Sequence, residues 1–277
     1  MHAPPAPTAP AGVGPLLRAW RTARGKSQLA LALEAGVSSR HLSYLENGRS
    51  TPSREMVLDL AEVLGVPLRE RNALLQAAGY AAVFRETPLD APDLAEVRRA
   101  LLHVLEASEP NPALLVNRRY DVLLANGAAV QLISHFAPAW RGRNNVALML
   151  VSPDGLRPSV ENWAEVAGHV LHRMRDELSA MAARDPDDER LLRVALEAEP
   201  ELRAAPGASP GPAILVPIRL RRGDLSLDLF TTITTVGTPL DITLQELRIE
   251  TLFPASAAAR EALARVREAA EREEDAG

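Results

Sequence analysis

The stretch "SQLALALEAGVSSRHLSYLENGRSTPS", Ser27 to Ser53, constrains the fold of this chain more than any other. It spells two short helices with a glycine between them. Ser27 is suited to cap a helix carrying Leu29, Leu31, Ala32 and Ala35, and Gly36 to end it in the left-handed conformation that glycine tolerates. Ser38 caps the next helix, which runs to about Glu46 with Leu42 and Leu45 facing inward at a spacing of three, and Asn47-Gly48 ends it. Neither helix can bury its apolar stripe alone, so both must belong to a bundle.

The flanking residues supply the rest of that bundle. Leu16, Leu17 and Trp20 stripe a helix that stops at Arg24-Gly25. Pro52-Ser53 opens another with Met56, Val57, Leu60, Val63 and Leu64 on one face. Pro67 starts a fifth, with Leu68, Leu74 and Leu75, closed by Gly79. Residues 13–80 therefore read as an all-α five-helix domain. The preceding "MHAPPAPTAPAG", residues 1–12, has neither a basic start nor an apolar h-region and reads as a disordered leader.

Beyond residue 80 the pattern changes. Residues 81–109 hold a helical linker, "DLAEVRRALLHVLEAS", and residues 110–256 form an α+β domain with one antiparallel sheet. "PALLVNRRYDVLLAN" reads as a hairpin turning near Asn117-Arg118-Arg119, and residues 127–151 as helical or irregular. Two helices follow, 161–183 and 187–199. Asp187, Asp188 and Glu189 open the second, where the helix dipole favours acids. After the loop "APGASPGPA" come three strands, "AILVPIRL", "LSLDLFTTITT" and "DITLQELRIETLF". The last shifts phase between Leu244 and Leu247, which predicts a bulge. Residues 257–277 read as a charged helix and tail.

Composition narrows the function classes. With 277 residues the chain has room for two cores, and no apolar run reaches bilayer length. No membrane partner is expected, and the reading is cytoplasmic. Zero cysteines exclude disulfides and thiolate chemistry. The net charge of −5 hides a basic segment: between Pro15 and Arg54 lie seven bases (Arg18, Arg21, Arg24, Lys26, Arg40, Arg49, Arg54) against Glu34 and Glu46. A basic face on an acidic chain suits a polyanion-binding module or an ordinary solvated face.

Two helices joined by a tight glycine turn form the arrangement in which the second helix enters the major groove of DNA. Ser38, Ser39, Arg40 and Tyr44 lie on its outer, N-terminal part, and Arg suits the O6 and N7 acceptors of guanine. Residues 15–79 resemble the Xre/phage-repressor class of helix-turn-helix proteins. That resemblance implies a phosphate clamp at Gln28, base readers at Ser38, Ser39, Arg40 and Tyr44, and a backbone contact at Asn47 with Arg49 nearby. It also implies an Arg21–Glu46 pair joining the first and third helices. Ser39 is shorter than the glutamine usual at its position. The other reading of these helices is a scaffold for protein contacts.

"YAAVFRETPLD", "EPNPALLVNRRYDVLLANGAA" and "GTPLDITLQELRIETLFPAS" resemble actinobacterial regulators with an MmyB-like domain. The resemblance implies a PAS-like fold holding a small apolar or fatty-acid-like ligand. The residues themselves allow an apolar pocket among Tyr120, Phe136, Trp140, Trp163, Phe230 and Phe253, or a plain core. Arg143 with Asn144 and Asn145 can meet a carboxylate or lie in a solvated loop. The candidate ligand residues are thus Tyr120, Phe136, Arg143, Trp163 and Phe230, around a cavity expected between the sheet and the 161–183 helix. His169 and His172 stand three apart but lack a third ligand at a fitting spacing, so no metal or cofactor is expected. No catalytic motif is visible. The expectation is a homodimeric, non-enzymatic regulator of transcription. A C-terminal enzyme, a cofactor module or a dry interaction domain are the alternatives.

Overall fold

The computed structural model describes residues 12–179, 186–204 and 216–275. The proline-rich stretch before Gly12, the end of the 161–183 helix and the "APGASPGPA" loop lie outside these residues. The chain divides into two units, residues 1–86 with Pro239–Gln245, and residues 87–238 with 246–277.

The first unit contains α1 (Val13–Ala23), α2 (Gln28–Glu34), α3 (Ser39–Glu46), α4 (Arg54–Val63) and α5 (Leu68–Ala77). Three starts are set by serines: Ser27, Ser38 and Ser53 accept hydrogen bonds from the amides of Ala30, His41 and Met56 at 3.1–3.2 Å. Gly36 takes φ +66°, so the turn between α2 and α3 uses the left-handed conformation expected of it. Leu17, Leu31, Leu42, Leu45, Leu60 and Leu75 are buried in one shared core. Leu29, expected on the apolar face of α2, is exposed together with Leu33. The core instead takes Leu31, Ala32 and Ala35, spaced as one helical face.

Pro239–Gln245 clusters with these helices. The amide of Ile242 donates to the carbonyl of Arg85 at 2.8 Å, and the amide of Leu68 to Oε1 of Gln245 at 2.6 Å. Gln245 thereby supplies α5 with the side-chain cap that Pro67 cannot provide.

The second unit is built on β1 (Ala113–Val116), β2 (Val122–Ala125), β3 (Ile218–Arg222), β4 (Leu225–Thr235) and β5 (Arg248–Pro254). They form one antiparallel sheet in the order β2-β1-β5-β4-β3. The last three strands make a meander, and the N-terminal hairpin joins it through β1 on β5. Around the sheet stand α6 (Ala95–Ala107), α7 (Gly127–Phe136), α8 (Val146–Val151), α9 (Trp163–Ser179), α10 (Pro186–Ala204) and α12 (Ala257–Asp275). Two asparagines hold this arrangement. Asn126 caps α7, accepts from the amide of Ala113, and donates to the carbonyls of Leu105 and Asn111. Asn145 caps α8 and donates to Arg119 O at 2.7 Å and Asp121 Oδ1 at 2.9 Å.

The bulge expected between Leu244 and Leu247 is not there. The segment turns helical instead, as α11 (Ile242–Glu246), and β5 begins only at Arg248. The Thr243 amide is held by Asp241 Oδ1 at 2.8 Å, which starts the turn. The phase shift in the sequence marks a change of element, not an extra residue within a strand.

Candidate DNA-binding face and ligand cavity

The third helix of the first unit is fixed from behind by a buried carboxylate. Arg21 holds Glu46 with two hydrogen bonds, Nε to Oε1 at 2.6 Å and Nη2 to Oε2 at 2.9 Å, and Gln28 Nε2 adds a third at 2.7 Å. Burial pushes the Glu46 carboxyl up, but the hydrogen bonds from Arg21 and Gln28 and the Arg21 charge outweigh it and hold it below the usual range. Arg21 also donates to the carbonyl of Lys26 at 2.8 Å, so one guanidinium ties α1, the loop before α2 and the end of α3 together. Gly14 lets this happen. A Cβ there would be driven into the carbonyls of Leu45 and Glu46, so only glycine allows α1 to lie this close to α3.

With its inner side locked, α3 presents its outer side. Ser38, Ser39 and Arg40 are exposed and Tyr44 is half-buried. Arg40 Nε donates to the Tyr44 hydroxyl at 3.0 Å, and its guanidinium lies 5.5 Å from the ring centre. This i, i+4 contact limits the freedom of a long side chain before any ligand arrives. Ser38 Oγ accepts from the His41 amide, leaving its hydroxyl proton free to donate outward. Asn47 is the C-cap of α3, with Nδ2 on the carbonyl of Ser43 at 2.7 Å, and Arg49 is exposed beside it.

The basic face is smaller than the sequence count. Arg21 serves Glu46, Arg24 donates to the carbonyls of Leu64 and Gly65 at the end of α4, and Lys26 pairs with Glu34. Arg18, Arg49 and Arg54 are exposed, with no ion pair among the described residues.

The second unit contains a cavity of about 290 Å³ between the sheet and α9. Its walls include Leu114 of β1, Leu229 and Ile233 of β4, Leu252 of β5, Met149 and Leu150 of α8, and Val166 and Val170 of α9. The polar lining residues are Tyr120, His169, Arg173, Thr231 and Glu250, and of these Tyr120, Arg173 and Glu250 lie within electrostatic reach of one another. Behind them, buried Arg248 makes two hydrogen bonds to Glu177, at 2.6 and 2.8 Å, and lies 5.1 Å from the centre of the Tyr120 ring. Burial pushes the Tyr120 hydroxyl up to about 12, so it stays a neutral donor. Burial also raises the Glu250 carboxyl, against the nearby charges of Arg248 and Arg173.

A helix-turn-helix family model matches residues 17–71, and a model described as the MmyB-like transcription regulator ligand binding domain matches residues 97–266. The chain belongs to the MmyB-like transcription regulators. It is a DNA-binding regulator of transcription with a ligand-binding domain. No curated protein matches it. Among its described residues, no helix is long and apolar enough to cross a membrane.

The regulator places its sequence-predicted residues unevenly. Gln28, Ser38, Ser39, Arg40, Tyr44, Asn47 and Arg49 fall on or beside α2 and α3, with the Gln28 amide turned onto Glu46. Of the five ligand candidates, Tyr120 alone lines the cavity. Phe136 is buried against His135 in the core. Trp163 spends its indole N–H on the carbonyl of Leu150 at 2.8 Å, under the guanidinium of Arg157. Phe230 alternates onto the other face of β4 and stacks on Phe253 at 5.5 Å. Arg143 is held by Asp121 at 3.1 Å and Asp187 at 3.2 Å.

The two histidines part company, His169 at the cavity and His172 on Asp176 outside it, and no metal-binding cluster exists among the described residues. Asp188 does more than favour a dipole: it is buried between Arg118 and Arg119. Sequence reasoning missed Glu250. Its signal is the triplet Arg248, Glu250, Leu252, which shares one face of β5, hidden in a strand pattern that runs through the helical residues Ile242–Glu246.

Proposed function

We infer that this regulator binds a specific DNA sequence through α3, as a homodimer, and that a small, mostly apolar ligand in the sheet–α9 cavity modulates that binding. The observation that carries the DNA reading is the prepared surface of α3. An exposed arginine is steadied by Tyr44, while the helix beneath is anchored through Glu46. In this reading Arg40 donates to a guanine edge, Ser38, Ser39 and Tyr44 contact bases or phosphates, and Gln28, Asn47 and Arg49 set the helix against the backbone. The cavity, walled by aliphatic side chains, supports the ligand reading. A route for modulation exists in the chain itself, because the units are joined both near residue 86 and through Pro239–Gln245, which leads directly into β5.

Selection of random duplexes by the purified protein tests the first part. Arg40→Ala should weaken the selected site by about 1–3 kcal/mol and relax preference at one base position. Gln28→Ala should weaken all sequences alike. The same base preference lost in both variants would reject the assignment. Repeating the binding with and without bound ligand tests modulation, and unchanged affinity would remove that part.

A further inference from the structure

Glu250 stands in the cavity wall without a partner of its own. Among the described residues its carboxylate accepts no hydrogen bond and makes no ion pair. Its strand neighbours in register are Leu114 on one side and Ile233 on the other, both cavity-lining aliphatics. Glu250 is half-buried, and a carboxylate set in an apolar cavity wall with no donor on it is costly; a site that keeps one is prepared for a donor.

The charges around it decide what kind of donor. Glu177 takes Arg248 at 2.6 Å and Arg173 at 3.4 Å, so two cations and two anions, Glu250 included, gather at this end of the cavity. The set is balanced. A carboxylate brought in by a ligand would make it net negative beside Glu250, and an ammonium would make it net positive; either buries an unbalanced charge. An uncharged ligand adds none.

Resting on the reading of this cavity as the ligand site, we propose that the ligand is an uncharged apolar molecule carrying a hydroxyl that donates to Glu250. The aliphatic walls hold its body, and the hydroxyl sits at Glu250, beside Tyr120 and Arg173.

The probes are 1-decanol, 1-methoxydecane, decylamine and decanoate, titrated into the full-length protein and followed by calorimetry and native mass spectrometry. 1-Decanol should bind most tightly, about tenfold or more above 1-methoxydecane, which has similar bulk but no donor. In Glu250→Leu that preference should vanish while both neutral probes still bind. Equal binding of the alcohol and the ether by the wild type overturns the proposal, as does tighter binding of decanoate or decylamine. Both are read on the native protein, so they stand even if the variant folds poorly. Binding of none of the four overturns the proposal together with the cavity reading, which separates the two failures.

Discussion

Two glutamates, Glu46 buried and Glu250 half-buried, show how one residue type is given opposite tasks. Glu46 meets Arg21 and Gln28, so its ionised form is the one the fold wants, and its carboxyl lies below the ordinary 4.5. A carboxyl lowered on folding contributes stability that is present above its unfolded pKa and lost as pH falls through the folded value. The first unit should therefore lose stability on acidification below about pH 4.5, and Glu46→Gln should flatten that limb. Arg21→Ala leaves the carboxylate buried with its main partner gone and should cost about 3–5 kcal/mol at neutral pH by urea unfolding. A loss within the scatter of exposed substitutions would show that Glu46 is not held this way.

Glu250 is shifted upward, so the sign reverses. Its neutral form is favoured by the fold, and stability is lost as pH rises from 4.5 through the raised value. Glu250→Gln should make the ligand-free protein more stable at pH 7, and the gain should shrink towards pH 4. Thermal unfolding across that range reads both effects. A destabilised Glu250→Gln protein at neutral pH would contradict the assignment.

At the scale of elements, the close approach of α1 to α3 rests on the absence of one methyl group. Gly14→Ala would press into the carbonyls of Leu45 and Glu46, and backbone cannot move aside as a flexible side chain can. The expected cost is about 1–3 kcal/mol, with DNA affinity falling alongside because the same contact sets the pose of α3. Equilibrium unfolding and a DNA titration check the two together; full stability with full affinity would show that α1 does not set that pose.

The elements also show what was legible in the sequence. The caps of α2, α3 and α4 were readable because a serine side chain bonds an amide three residues on, a local event. The hairpin of β1 and β2 was readable for the same reason. α11 was not: four of its five residues, Ile242–Gln245, cluster with helices distant in the chain, and periodicity over so short a segment cannot separate one helical turn from a bulged strand. Nor were the ends of Phe230 and Trp163. An aromatic's spacing shows that it is buried, but not on which side of a sheet.

For the whole molecule, one helix-turn-helix unit buries little DNA surface, so affinity in the proposed function comes from two copies on half-sites one helical turn apart. Inserting about five base pairs between the half-sites turns them to opposite sides of the duplex, and binding should fall to that of a single half-site. Sedimentation of the protein–DNA complex counts the copies. Undiminished binding to the spaced site would argue for a monomer.

The five-helix bundle, the glycine turn into α3, the polar residues on that helix and a second, sheet-based domain follow from local sequence. Each depends on contacts within a few residues or on a regular period. Tertiary structure alone decided which bases remained free once Glu46, Glu34 and the end of α4 had taken theirs. It also decided that Tyr120 and Glu250, 130 positions apart, would share a cavity that Phe230 faces away from. The reason is physical: a side chain's partner across the fold depends on strand pairing and the parity of each strand. A single helical turn at Ile242–Glu246 was enough to reset that parity.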